Sequence, residues 1–180
     1  PGELGKLLRL GGPMGLSTFI DISSFTLIAI LVARLGVETV AGHRVISNFT
    51  GVIYMLPLAL SIATMVLVGQ AVGANDPARA RLTARVGMGL TGGLAVLLGI
   101  LLWLLREPLV TLSTTDPAVQ AVALGLVLYL CFYQGFDGLQ TVAAHALRGY
   151  KVTLLPMLLH TFCFWGIGLS GGYWLSFHAP

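Results

Sequence analysis

Charge is what this sequence has least of. Its 180 residues carry ten Lys and Arg and seven Asp and Glu, 9% in all, where a soluble domain carries about a quarter. So few charges cannot furnish a water-facing surface. With 56% hydrophobic residues and a mean hydropathy of +0.90, the chain reads as an integral membrane protein. Cysteine is scarce too: Cys131 and Cys163 fall inside apolar runs, which makes neither a disulfide framework nor metal-ligand spacing. The net charge of +3 is scattered, with no block dense enough to grip nucleic acid. Phosphate-binding P-loops, nucleophile elbows and HExxH motifs are missing, so no enzyme is expected, and no ATP-driven pump unless a partner supplies the ATPase. A cleavable signal peptide is not visible, because the first apolar run lacks a small-residue cleavage site. Starting at Pro1 and stopping at Pro180 after an apolar run, the chain is expected to be part of a longer protein.

What is present is a set of five nearly uncharged runs, at residues 10–33, 45–74, 86–105, 118–147 and 152–177. Each reaches the roughly 20 residues a spanning helix needs. The fold class expected is therefore all-α and polytopic, a bundle of five transmembrane helices. Asn75-Asp76-Pro77 and Thr115-Asp116-Pro117 offer an Asp N-cap followed by Pro at the first helical position, and Gly149 suits a helix stop. Lys6, Arg9, Arg79, Arg81, Arg85, Arg148 and Lys151 lie on one side, and Arg34, Arg44 and Arg106 on the other. By the positive-inside rule the N-terminus is cytoplasmic. Within the runs, Pro13, Pro57 and Pro156 are expected to kink their helices. Gly89 with Gly93, and Gly168 with Gly172, form small-xxx-small pairs suited to close helix approach.

Against this background two acids stand out, because a carboxylate at the centre of a span costs about 2.5–3.5 kcal/mol on insertion scales. Asp137 lies in the run YQGFDGLQTVAAHALR, with Tyr133, Gln140 and Thr141 three or four residues away along one helical face. A carboxylate, a phenol and an amide supply oxygens to a hard cation, and a poorly solvated carboxylate serves proton binding equally well. Asp21 is flanked by Ser17, Thr18 and Ser24, and Ser47, Thr50, Tyr54 and Ser61 share a face in the second run. No Lys or Arg lies at the depth of either acid, so both are read as functional residues rather than helix glue. The tyrosines draw interest only from their position relative to the acids. His43, His145, His160 and His178 lack metal-ligand spacing and read as satisfied polar or interfacial groups. The sequon at Asn48 lies inside a span, and Gly87-Met88-Gly89-Leu90-Thr91-Gly92 matches GxGxxG without a preceding strand; neither is credited.

The stretches LGGPMGLSTFID, HRVISNFTGVIYMLP, VGQAVGANDPARAR, YQGFDGLQ and ALRGYKVTLLPM into FWGIGL together resemble the multidrug and toxic compound extrusion (MATE) transporters, in their NorM-type branch. The similarity covers nearly the whole chain and aligns it with the C-terminal lobe, five of that lobe's six helices. It implies half of a twelve-helix antiporter of the bacterial inner membrane, a monomer when full length, that exports cationic amphiphilic compounds against a Na+ or H+ gradient with no other cofactor. The partners implied are cationic drug-like substrates, membrane lipid and an N-terminal lobe of the same protein. The resemblance places the cation site, Na+ if sodium is the coupling ion, at Asp21 and Asp137 with Tyr133, and the substrate side at Tyr54; Gln140 joins the acids there as a neighbouring amide. Two positions depart from the pattern: Asp21 stands where Glu is typical, one methylene shorter, and Arg44 where an uncharged residue is common. Alternatives from other classes are a flippase of the wider superfamily moving lipid-linked sugars, and a non-transporting helical scaffold or a cation channel. A flippase calls for a cationic cavity and a channel for a repeated filter, and neither pattern is in the sequence.

Overall fold

Proline and aspartate set the helix starts. In the computed structural model, which describes residues 2–171 together with Tyr173 and Trp174, Asp76 Oδ1 accepts a hydrogen bond from the Arg79 amide at 2.9 Å and Asp116 Oδ1 one from the Ala118 amide at 2.9 Å. Each carboxylate satisfies an amide that the first helical turn leaves without a carbonyl, and the proline that follows has no N–H to satisfy. The elements are α1 (Gly2–Val32) with a 3-10 turn Ala33–Leu35, α2 (Val37–Gly73), α3 (Pro77–Leu104), α4 (Arg106–Ser113), α5 (Pro117–Gly149), α6 (Leu154–Thr161) and a π-helical segment Phe162–Leu169. No strand occurs among the described residues. The chain is all-α and of the polytopic membrane type: α1, α2, α3 and α5 are each long and apolar enough to cross a bilayer. Between 17% and 28% of their most apolar windows is buried in protein. Apolar helices so little covered by their neighbours need lipid or further protein on their remaining faces.

Three helices begin about two turns before the apolar runs that announce them, at Gly2, Val37 and Pro77. Hydropathy marks the residues that must sit in hydrocarbon, whereas a capped helix continues through charged residues that water solvates. The fifth run starts as an apolar helix over Leu154–Gly168, and its expected end at residue 177 lies outside the described residues. Helix α4 was not foreseen. Its eight residues hold Arg106, Glu107 and Pro108, too polar to register as a span, and it forms because Val110, fully buried, joins Ile46, Leu102, Ala123, Val127 and Leu130 in one core.

The chain divides into two units, Pro1–Leu35 with Lys151–Pro180, and Gly36–Tyr150. In the second, α2 and α5 run parallel and α3 antiparallel to them. The contacts of the glycines give the register: a Cβ on Gly42 would meet Val122 Cγ1 at 2.7 Å, and one on Gly149 would meet Met65 O at 2.8 Å. On α3, Gly92 faces Leu139 and Cys131 Sγ donates to the Gly99 carbonyl at 3.4 Å. Gly149 therefore serves helix approach more than helix termination; the left-handed residue that turns the chain is Lys151, with φ 63°. Gly87, the first glycine of the GxGxxG match, packs so that a Cβ would meet Thr64 Cγ2 at 2.6 Å. Gly89 and Gly93, expected to mediate close approach, have nothing near a notional Cβ among the described residues, so helix phase selects Gly87 and not its neighbours. Gly172 lies outside the described residues.

In the first unit α1 packs against α6 and the π-helical segment. Pro13 lies inside α1, and the hydroxyl of Ser17 donates to the Pro13 carbonyl at 3.0 Å. Pro156 lies inside α6 and is buried.

Candidate functional site

Helix α5 carries Asp137 twelve residues before its end at Gly149, about 18 Å along the axis. Its buried stripe runs through Val127, Leu130, Gln134, Gly138 and Thr141, the i, i+3/4 spacing of a face packed against other helices. Asp137 sits one residue off that stripe, half-buried, with Tyr133 and Gln140 more exposed on the same shoulder. All three are engaged in interactions of their own. Thr141, the fourth residue expected on this face, turns inward: it is 5% exposed, and its Oγ1 lies 3.4 Å from the Tyr54 hydroxyl of α2. The structure thus brings Tyr54 to α5 one helical turn from Asp137. The other hydroxyls of the α2 face bond within their own helix, Thr50 to the Ile46 carbonyl at 2.9 Å, Ser61 to that of Pro57 at 2.7 Å and Ser47 to His43 Nδ1 at 3.3 Å. A hydroxyl that donates in this way has used its proton and offers a neighbour only its lone pairs.

Gln134 is a residue that sequence reasoning passed over. Its side chain is 1% exposed, and among the described residues neither its Oε1 nor its Nε2 has a hydrogen-bond partner; Thr91 Oγ1 on α3 is likewise buried and unpartnered there. Unmade bonds of this kind cost about 1–3 kcal/mol each. The signal was in the spacing, because Gln134 falls in phase with Val127, Leu130 and Gly138, the face that had to be buried. Beside it Gly138 opens room for one methyl group, with Ala95 Cβ, Pro57 Cβ and Thr91 Cγ2 at 3.6–3.7 Å from a notional Cβ.

Asp21 belongs to the first unit. It lies eleven residues before the end of α1 at Val32, about 17 Å along the axis. Ser17 and Ser24 beside it are buried and bond back to the carbonyls of Pro13 and Ile20 at 3.0 and 2.7 Å, and the exposed Thr18 does the same to Met14 at 3.1 Å. The flanking hydroxyls thus donate within their own helix and not to the acid. The group that reaches Asp21 is His160 of α6, whose Nε2 lies 2.7 Å from Oδ1. Weighing only Lys and Arg as neutralising partners overlooked it: histidine is short and reaches across only where two helices already touch, which spacing along one chain does not reveal. The contact is short without the alignment of a hydrogen bond, and Oδ1, itself buried, has no hydrogen-bond partner among the described residues. His145 donates from Nδ1 to the Thr141 carbonyl at 2.8 Å, as expected for a satisfied polar residue, and His178 lies outside the described residues.

Among the described residues no three His, Cys, Asp or Glu side chains gather to hold a metal ion. A cation at either acid would complete its shell from hydroxyl, amide, carbonyl or water oxygens, the ligands of a hard ion.

Comparison with known proteins agrees with this architecture. Residues 13–174 match the family model MatE. The chain is 71% identical over 178 residues to the probable multidrug resistance protein NorM of Aromatoleum aromaticum, covering 99% of this chain and 38% of that protein. It is 41% identical over 173 residues to multidrug resistance protein PmpM of Pseudomonas aeruginosa, covering 96% of this chain and 36% of that protein. To multidrug resistance protein MdtK of Pectobacterium atrosepticum it is 36% identical over 173 residues, 96% of this chain and 38% of that protein. The chain thus spans under two fifths of the length of these relatives.

Proposed function

This chain belongs to the MatE family, and from that membership we propose that it forms part of a multidrug efflux transporter in which a cation gradient drives the export of cationic amphiphilic compounds. The relatives' names speak for multidrug resistance. The observation that carries the coupling is the placing of Asp137 and Asp21, half-buried carboxylates well inside two helices long and apolar enough to span a bilayer.

A charged carboxylate at that depth is costly, so a cation that neutralises it gains free energy in whichever facing state exposes the acid to the side where the cation is abundant. A cationic drug can take the same position, and exchange of the two across the membrane is antiport. Only a difference in cation affinity between the facing states biases the cycle, and a site that bound equally in both would drive nothing. Tyr133 and Gln140 supply oxygens beside Asp137. Tyr54, held to the Asp137-bearing helix through Thr141, supplies an aromatic face to the organic part of the substrate. Na+ and H+ both suit a carboxylate at that depth. The setting is the bacterial inner membrane, with the N-terminus of this segment cytoplasmic by the charge count of its loops.

The test is drug efflux by the full-length parent in proteoliposomes, with Na+ and pH gradients imposed separately. One of them is expected to drive efflux, and Asp137→Asn to abolish it with expression intact. Normal efflux from Asp137→Asn would sink the reading.

A further inference from the structure

We propose that His160 is a latch on Asp21: its imidazole stands in for the cation when the carboxylate is empty, and a cation or cationic substrate must displace it to bind. The inference rests on the transport reading, in which Asp21 is part of the exchange site. Four observations in the first unit support it.

The imidazole Nε2 and Asp21 Oδ1 are 2.7 Å apart, a distance at which no ion fits between them. The contact is nonetheless poorly aligned, so Oδ1, itself buried and without a hydrogen-bond partner among the described residues, is held by the imidazole only incompletely. Covered and open sides also differ. The His160 side chain is 10% exposed and that of Asp21 33%, and since Oδ1 is buried the approach left open is to the part of the acid that the imidazole does not cover.

The ring is also held from behind. His160 stacks on Phe164, centroids 4.8 Å apart and planes 25° from parallel. Phe164 lies in the π-helical segment that begins two residues after His160. Segments of this kind are rare, and where they occur they often mark functional sites. Rewinding of Phe162–Leu169 would shift Phe164 and carry the imidazole with it, which couples release of Asp21 to a change of helix shape.

The physical need is clear in an exchanger. Between release of one ligand and capture of the next, an empty carboxylate in a poorly solvated place is expensive. A partner built into the protein lowers that cost, but it competes with every ligand. Removing it should tighten cation binding.

The experiment uses the full-length parent in proteoliposomes, with Na+ and H+ each titrated as the driving ion and efflux of a cationic dye as the readout. His160→Ala is expected to lower the cation concentration for half-maximal efflux by about tenfold, the scale of one lost charge-assisted bond. Maximal rate should change much less. His160→Gln, which keeps an N–H for Oδ1 and loses the stacked ring, should fall between, and it carries the test if the alanine variant does not fold. Thr161→Ala is the control, since the Thr161 hydroxyl bonds only along its own helix, to the Met157 carbonyl at 2.8 Å. An unchanged or raised half-maximal concentration in the His160 variants overturns the latch, as does an equal shift in Thr161→Ala or loss of efflux from a folded His160→Ala protein. If neither ion drives efflux by the unaltered parent, the transport reading fails, and the latch with it.

Discussion

Asp137 and Asp21 are the same residue type, each well inside a long apolar helix, yet their surroundings are built differently. Asp137 rides on α5, which in the second unit meets α2 at Gly42 and Gly149, positions too tightly packed for a side chain. Asp21 rides on α1, whose neighbours in the first unit are the short α6 and a π-helical segment. The first acid is mounted on a closely packed frame; the second stands against a histidine of α6 that stacks on Phe164 of the π-helical segment. A chain can therefore offer two similar charges while giving one a tightly packed helix and the other a histidine partner. The experiments below attack that contrast from its largest consequence to its smallest.

Replacing the acids by leucine tests whether both are functional. Asp137→Leu and Asp21→Leu each remove a residue costing about 2.5–3.5 kcal/mol to insert, so membrane insertion of the full-length parent should improve while efflux is lost. Improved insertion with efflux retained would reduce both acids to scaffold.

The stiffness of the second unit is tested next. Gly149→Ala drives a Cβ into the Met65 carbonyl at 2.8 Å and Val68 at 3.0 Å, and overpacking of this kind costs about 1–3 kcal/mol. Thermal unfolding of the detergent-purified parent should fall in temperature, whereas Gly89→Ala, with open space around it, should leave it unchanged or raise it slightly. Equal effects at the two positions would show that α5 is not pinned as described.

A smaller effect of opposite sign is expected inside the same unit. Gln134→Leu removes two buried polar atoms without partners and should stabilise by about 1 kcal/mol. Destabilisation would mean that the amide meets a polar group in the whole protein. Smallest is Thr141→Val, which removes the 3.4 Å contact with Tyr54; side-chain hydrogen bonds within membrane helices average about 0.6 kcal/mol. A loss of several kcal/mol there would make Tyr54 a structural keystone of α5.

Family, class and the principal acids were legible in the residues. Sparse charge forced a membrane reading, the Asp-Pro pairs located the starts of α3 and α5, and carboxylates inside apolar runs could not be overlooked. Which glycines matter was not legible: Gly87, Gly89 and Gly93 look alike along the chain, and only the rotation of α3 against α2 separates the packed one from the open pair. The short helix α4 was missed because its single buried anchor, Val110, gains meaning from a core contributed by three other helices.

What the sequence determined by itself, then, is the set of properties each segment carries alone: solubility in lipid, helix length, caps, and the presence of Asp21 and Asp137. Tertiary structure decided the partners. Whether Thr141 faces Tyr54, whether Gln134 is buried without a partner and whether His160 stands against Asp21 depend on how helices distant in the chain are turned about their axes. That rotation is set by packing between side chains far apart in sequence, and the pattern within a single helix leaves it undetermined.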